Sequence, residues 1–457
     1  MILLNTAATH DIDRTEAFKA FAQQRAEGQV LLAPVLLPPE ERRLYIRRTI
    51  REDHQFRIHN RPEGAQAKFD KLAKSPFTFF RGTALLYYRD QAGTDGHLPT
   101  VLTIGDVHPE NFGVMPNEDG VPFFGINDFD EAYFAPFSWD LKRGAVGFYI
   151  AAKENGFAQK KRSKVVKSFV SGYLNGLKEF ARDDREKWRQ YRIDNSPPMI
   201  KELLESALTS REKFLKKIVD LDKGLFTPSD EIVPRSKLVS EFQQAIDQYC
   251  ETNDIDTKGR AGHFKVKDVA LKKDSGAASL GLDRYYVLID GPTGDVRDDI
   301  ILELKQARRS ALYGLTPQRV AQEDGKAERI LQSQEIHLVG GDPYYGRTTF
   351  NDLEFIVRER SPYKDKIDVD DLSLKELKEY ARICGQVLAQ AHARSDEDTG
   401  VMDGRAEEQI LGSINLNVFK DDIVRFAKVT ADRIYEDYEL FQKDHVLGAF
   451  NFVKQEK

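Results

Sequence analysis

Two cysteines in 457 residues, Cys250 and Cys384, are too few and too far apart for a disulfide framework. That excludes the small cross-linked secreted scaffolds and makes a reducing cytoplasm the expected compartment. No run of about 18 apolar residues occurs, so no membrane-spanning helix is expected. The opening stretch MILLNTAATHDIDR has too short an apolar run for a signal peptide and no basic flank. Neither sign of charge dominates: 68 Lys+Arg face 74 Asp+Glu, a net charge of −6, and the pI is near 6.0. No global basic field is present, and neither a nucleic-acid nor a membrane partner is expected. Low-complexity tracts and internal repeats are missing too, and no signal sets an oligomeric state. What is there, 40% hydrophobic and 31% charged residues, is the composition of a soluble globular protein. The length fits two or three domains or one two-lobed unit.

Local patterns divide the chain. PPEERRLYIRRTIREDHQFRIHN reads as a helix started by Pro38-Pro39, and SPFTFFRGTALLYYRD (75–90) as one buried helix. TVLTIGD and VPFFGIND read as short strands around the turn-rich MPNEDG. Residues 138–250 look mostly helical, with a densely charged, solvated stretch from Arg182 to Lys223. Three β-rich runs follow: FKVKDVALKK, LDRYYVLID and DDIILELKQA, joined by DSGAASLG and by GPTGD, a hairpin signal. A helix is expected from Thr316-Pro317 to Gln334, then a strand over DLEFIVRER and a long helix over DLSLKELKEYARICGQVLAQAHARSD.

The chemistry-bearing pattern is GDVHPENFG at 105–113 with INDFDE at 126–131. Asp106 and Asn111 are five apart, and Asp128 follows Asn111 by seventeen. Phosphoryl transfer needs a carboxylate near an incoming hydroxyl and carboxylate and amide oxygens that hold Mg²⁺ against phosphates. Asp106 is therefore expected as catalytic base, with Asn111 and Asp128 as metal ligands. Asp130 and Glu131 are further carboxylates for a metal, and His108 is expected to shape the loop by hydrogen bonding. The same residue types also suit a different metal chemistry, such as that of a hydrolase, or a purely structural turn.

The pattern resembles the loop of aminoglycoside and choline phosphotransferases, H-G-D-x-H-x-x-N followed by I-D-F, with Ile104 in place of the leading His. The Asp-Leu that braces the loop in that family is matched by Asp140-Leu141 in SWDLKR, twelve beyond Asp128. From FFRG to AHARSD the chain also resembles a large bacterial family of uncharacterised proteins carrying F-x-R-G, G-D-x-H-x-x-N-F-G and N-D-F-D-E. The phosphotransferase resemblance implies ATP, Mg²⁺ and a protein-kinase-like fold.

Such a fold also needs a loop over the phosphates and a strand lysine. Nothing before Gly105 supplies them. KKDSGAASLG does, with Ser275, Gly276, Ser279 and Gly281 as residues able to approach phosphate, and IILELKQA places Lys305 as the strand lysine. Its glutamate partner is expected on the following helix. Glu323 and Glu328 are five apart and do not share a helix face; Glu328, before the apolar run RILQ, is preferred. The order of parts is then rotated, which predicts a circularly permuted α/β (α+β) kinase-like fold. Its parts are a mainly helical region 1–255 with the catalytic loop and metal hairpin, an antiparallel-sheet region 256–362, and a returning helical segment 363–457. His392 and Arg394 are expected either near the site or, the preferred reading, as helix-end residues making backbone contacts. Arg81 is expected to meet phosphate or to pair with Asp140 or Asp106. The expected activity is ATP- and Mg²⁺-dependent phosphoryl transfer to a hydroxyl, with AMP transfer to protein, nucleotide sensing without catalysis and metal-dependent hydrolysis as alternatives.

Overall fold

Prolines open three of the first six helices in the structure, a computed structural model that describes residues 13–253, 255, 262–273, 281–316, 325–396, 399 and 401–453. Six helices open the chain: α1 (Thr15–Ala26), α2 (Pro39–Asp53), α3 (Gln55–Asn60), α4 (Pro62–Leu72), α5 (Pro76–Gly82) and α6 (Ala84–Gln91). Pro39, Pro62 and Pro76 stand in a first turn, where a missing N–H costs nothing. The single helix expected over 75–90 is two helices. Thr83 leaves the helical region (φ −125°, ψ 45°), and its hydroxyl donates to the Phe79 carbonyl at 2.7 Å. The helix expected after Pro39 breaks in the same way around His54, whose Nδ1 lies 2.8 Å from the Ile50 carbonyl.

Two small antiparallel pairs come next. Strand β1 (Thr100–Thr103) pairs with β4 (Tyr133–Pro136), and between them β2 (Phe112–Pro116) and β3 (Pro122–Ile126) form a hairpin. Helices α7 (Phe137–Glu154) and α8 (Gln159–Asp183) follow. The region read as mostly helical then contains α9 (Pro198–Ser206), α10 (Arg211–Leu215), three short strands β5 (Val219–Asp220), β6 (Leu225–Phe226) and β7 (Ile232–Pro234), and α11 (Val239–Thr252). Strands β8 (Val266–Lys272), β9 (Arg284–Ile289) and β10 (Ile300–Gln306), helix α12 (Ala327–His337), and strands β11 (Gly346–Phe350) and β12 (Leu353–Glu359) complete an antiparallel six-stranded sheet, ordered β11-β12-β10-β9-β8-β7. The first part of the helix expected from Thr316 lies outside the described residues. The chain ends in α13 (Leu374–Arg394), α14 (Ala406–Gly412) and α15 (Phe419–Val446). Ser373 and Glu376 form a reciprocal capping box at the start of α13.

The sheet alternates its faces with period two. Ile300, Leu302 and Leu304 of β10 bury against Phe242, Ile246 and Tyr249 of α11. Ile301 belongs to the other face, with Phe214, Val219 and Leu288. The same alternation turns Glu303 and Lys305 away from α11. Because β7 and α11 precede residue 256, the sheet and its cover draw on residues that the sequence reading placed in the helical region. A larger core joins α7, α8, α13 and α15 with the β1–β4 segment. Among the described residues, no helix is long and apolar enough to cross a membrane.

Candidate active site

Residues 104–111 carry the chain from β1 to β2, and Gly105 starts the turn with φ +80°. A Cβ there would fall 2.1 Å from the Glu131 carbonyl oxygen. Loop and hairpin end therefore touch backbone to backbone, and only glycine permits both the left-handed turn and the contact. Asp140, in the first turn of α7, braces the loop. Its carboxylate accepts from the backbone N–H of Ile104 at 2.6 Å and of Gly105 at 2.9 Å. His392 of α13 brings Nε2 to 3.1 Å from the same carboxylate, and its Nδ1 lies 2.8 Å from the Tyr173 hydroxyl. His392 does stand in the last turn of α13, but its side chain is buried against the loop brace and is not spent on backbone. Arg394 does bond backbone, donating from Nε to the Ile336 carbonyl at 2.8 Å.

Asp106 is anchored on one side. Arg143, three residues beyond Asp140 on α7, donates from Nε at 2.9 Å and from a terminal nitrogen at 2.6 Å to Oδ1. The other oxygen, Oδ2, lies 3.5 Å from His108 Nε2. Burial opposes the Asp106 charge, but Arg143 and then His108 outweigh it and hold the carboxyl below the usual carboxylate range. His108 shapes the loop by accepting from the Glu110 N–H through Nδ1 at 3.2 Å. Arg81 pairs with Glu110 at 2.8 Å, not with Asp140 or Asp106 as expected, because Asp140 is spent on backbone N–H groups and Asp106 on Arg143.

Asn111 ties the loop to the hairpin. Its amide nitrogen donates to the Asp106 carbonyl at 3.1 Å and to the Asp128 carbonyl at 3.0 Å, so the amide oxygen is the end that can face a cation. Lys305 arrives from β10 with Nζ 3.2 Å from each Asp128 carboxylate oxygen and 2.6 Å from Asp130 Oδ2. Asp128 keeps 39% of its side chain exposed, enough to reach a ligand. Burial works against its charge, yet Lys305 and Arg358 prevail and hold it low. Burial, and then the Asp128 charge beside it, push the Asp130 carboxyl up.

Other expected residues are placed elsewhere. Glu328 pairs with Arg347 at 2.5 Å with 64% of its side chain exposed, and the partners of Lys305 are Asp128 and Asp130 instead. Its neighbour Arg329 makes the helix's contact with the site, donating to the Asp130 carbonyl at 2.9 Å and to the Ala132 carbonyl at 2.5 Å. Both carboxylate oxygens of Glu131 are engaged within the protein: Arg308 holds one, and the Ala311 N–H donates to the other at 2.6 Å. Ser275, Gly276, Ser279 and Glu323 lie outside the described residues. Gly281 is described, with φ +81°.

Asn111, Asp128 and Asp130 are oxygen donors, the set a hard cation such as Mg²⁺ takes. Among the described residues, no group of three or more His, Cys, Asp or Glu side chains is placed to hold a metal ion. A cation here would complete its shell with water or phosphate oxygens, which is the usual Mg²⁺ arrangement. Beside the site, between the hairpin and the end of β12, lies a cavity of about 60 Å³ lined by Val114, Asn127, Phe129, Glu303, Arg358 and Ser361. A larger cavity of about 580 Å³ lies away from these residues, along α6 and α15.

Arg143, Arg308 and Arg329 belong to the site but to none of the sequence motifs. Only Arg143 carried a signal, being one turn from Asp140 and followed by the apolar run GAVGFYIAA. A family model described as "Uncharacterized protein conserved in bacteria (DUF2252)" matches residues 60–444. No curated protein matches the chain, and no solved structure does.

Proposed function

We propose that this chain, which belongs to the DUF2252 family of uncharacterized proteins conserved in bacteria, is an ATP- and Mg²⁺-dependent phosphotransferase acting on a hydroxyl of a small-molecule acceptor. One observation carries the reading. A strand lysine, Lys305, meets Asp128 and Asp130 at the end of the hairpin that Asn111 ties to Asp106. Charge neutralisation and positioning around a triphosphate need that combination.

In this reading Asp106 receives the acceptor's proton on Oδ2, while Arg143 fixes the carboxylate through Oδ1. Lys305 holds the nucleotide phosphates, and Asn111 with Asp128 and Asp130 holds Mg²⁺. The bound Mg²⁺ supplies charge neutralisation on the phosphate oxygens. The scaffold is a two-lobed, kinase-like one with its parts in rotated order. The contact of His392 with Asp140 supports that order, because it joins the late helix α13 to the early loop. The cavity beside Arg358 and Ser361 is the proposed base pocket. At about 60 Å³ it is too small for a nucleotide, since ligand pockets run to roughly 300 Å³ or more. The sheet must therefore part from the hairpin for entry.

The test is Mg²⁺-dependent turnover of ATP labelled in turn on its γ- and α-phosphate. Label passing from the γ-position to acceptor or water, lost in Asp128→Ala, supports phosphoryl transfer. Transfer of the α-label to protein would put AMP transfer in its place. ATP bound without turnover would make the chain a sensor.

A further inference from the structure

The chain leaves β12 through residues 360–364, and this segment is tied to the protein on both sides. The Arg360 N–H donates to the Ile301 carbonyl of β10 at 2.8 Å, and the Val114 N–H of β2 donates to the Asp365 carbonyl at 2.8 Å. Held there, Arg358, Arg360, Ser361 and Lys364 line one cavity, the space of about 60 Å³ between sheet and hairpin. At roughly 30 Å³ for each water, that is room for a small oxyanion. Ser361 is buried. Its oxygen accepts from the Tyr363 N–H at 3.0 Å, which leaves the hydroxyl hydrogen free to donate.

The carboxylates that line the same cavity are each engaged. Glu303 takes Arg284 at 3.1 Å and Arg358 at 2.7 Å, and Glu359 takes Arg211. Asp342 accepts from the backbone N–H groups of Tyr344 and Glu359, both at 2.8 Å. Two cations of the lining have no carboxylate. Among the described residues, Arg360 has neutral partners: the Ser361 carbonyl at 3.2 Å, Tyr286 and the face of Phe214. Lys364 is exposed at the rim, and among the described residues it forms no ion pair. The charges acting on it are Arg358, Arg360 and Arg284, opposed by Glu303. Arg358, ahead of every other cause, pushes the Lys364 ammonium down to about 7. An anion in the cavity would stabilise its charged form.

We infer that Lys364, Arg360 and the Ser361 hydroxyl bind a phosphate group in this cavity, and that this group and the nucleotide exclude one another. A mobile ammonium, a guanidinium fork and a hydroxyl match the several oxygens of a phosphate. The phosphate is the free ion or a monoester of a small molecule. The exclusion rests on the phosphotransferase reading, which puts the base in the same cavity once the sheet has parted from the hairpin. The anion site itself does not.

Calorimetric titration of the full chain with inorganic phosphate and with glycerol 3-phosphate, at constant ionic strength, tests the site. The variants are Lys364→Met, at an exposed position that the fold does not need, and Arg360→Gln. Wild type should bind at least one probe, and each variant should lose that affinity by about tenfold or more. Tighter binding of glycerol 3-phosphate makes a monoester the ligand; equal or tighter binding of phosphate makes it the free ion. No binding of either probe, or equal affinities in wild type and both variants, overturns the site. A non-hydrolysable ATP analogue with Mg²⁺ is then titrated into protein saturated with the better probe. Weakened analogue binding in wild type, restored in Lys364→Met, supports the exclusion, and unchanged binding overturns it. A wild type that binds phosphate and no nucleotide sinks the phosphotransferase reading and the exclusion with it, and leaves the anion site standing.

Discussion

Lys305 Nζ stands 3.2 Å from both carboxylate oxygens of Asp128, although 177 positions separate the two residues. Strand alternation explains how. Leu302 and Leu304 bury against α11, so Lys305 must leave the sheet on its other face, toward the hairpin. A lysine 7% exposed between two carboxylates is desolvated at a cost that only their charge offsets.

That geometry makes Asp128 the first residue to test. Asp128→Ala should abolish Mg²⁺-dependent nucleotide binding while the protein stays folded. The side chain is 39% exposed, and Asp130, 2.6 Å from Lys305, keeps a carboxylate on the buried lysine, so the fold should survive the change. Circular dichroism checks the fold and calorimetry the binding. Full nucleotide affinity in a folded variant would remove Asp128 from the metal site.

Asp106 needs two variants, because it holds Arg143 as well as facing the cleft. Asp106→Asn keeps an oxygen for Arg143 and should lower turnover by about 10² to 10⁴ with nucleotide affinity little changed. Asp106→Ala leaves a buried guanidinium uncompensated and should also destabilise the protein by about 3–5 kcal/mol. Urea denaturation separates the two effects. An Asp106→Asn variant that keeps turnover but loses ATP would be a binding variant, and the base would lie elsewhere.

The brace makes a separate prediction. Asp140 accepts from two backbone N–H groups of the loop and lies beside His392. Asp140→Ala should cost about 3 kcal/mol or more, since two buried donors lose a charged acceptor. Asp140→Asn, which keeps one good acceptor, should cost less. Equal denaturation midpoints for Asp140→Ala and wild type would show that the loop holds its shape without this contact.

Much of this was legible before the structure. The helix starts at Pro39 and Pro76, the strands within TVLTIGD and VPFFGIND and the strand over IILELKQ are local signals, and each appears where its pattern puts it, although the strand that meets MPNEDG from the N-terminal side is Phe112–Pro116 and TVLT pairs with Tyr133–Pro136. The two helix breaks were not legible, because Thr83 and His54 end their helices by side-chain bonds to carbonyls four residues back, which periodicity does not register. Nor was the partner of Lys305. Helical position made Glu328 the choice, but its exposed carboxylate reaches Arg347, while Asp128 and Asp130 approach from a segment distant in sequence. Arg308 and Arg329 are hidden for the same reason. In a chain that is 31% charged, nothing local distinguishes a buried arginine from a solvated one.

The Asp128–Asp130 pair should give the protein a distinctive pH response. Asp130 is pushed above the ordinary carboxylate range, first by burial and then by the charge of Asp128. Asp128 is held below that range by Lys305 and Arg358 despite burial. Across the window between the ordinary range, about 4, and about 6, the folded protein keeps a proton on Asp130 that the unfolded chain has released. Stability should therefore fall as pH rises through this window. Asp128 acts with the opposite sign and lower down: its contribution is present above the ordinary range and is lost on further acidification. A cation between the two carboxylates should expel the Asp130 proton, so Mg²⁺ binding should strengthen with rising pH and release protons below pH 6. Calorimetry in two buffers of different ionisation enthalpy counts those protons. Asp130→Asn should abolish both the release and the stability slope. A wild type that binds Mg²⁺ with no proton release at pH 5.5 would mean that Asp130 is no part of the metal site, leaving Asn111 and Asp128 to hold the ion alone.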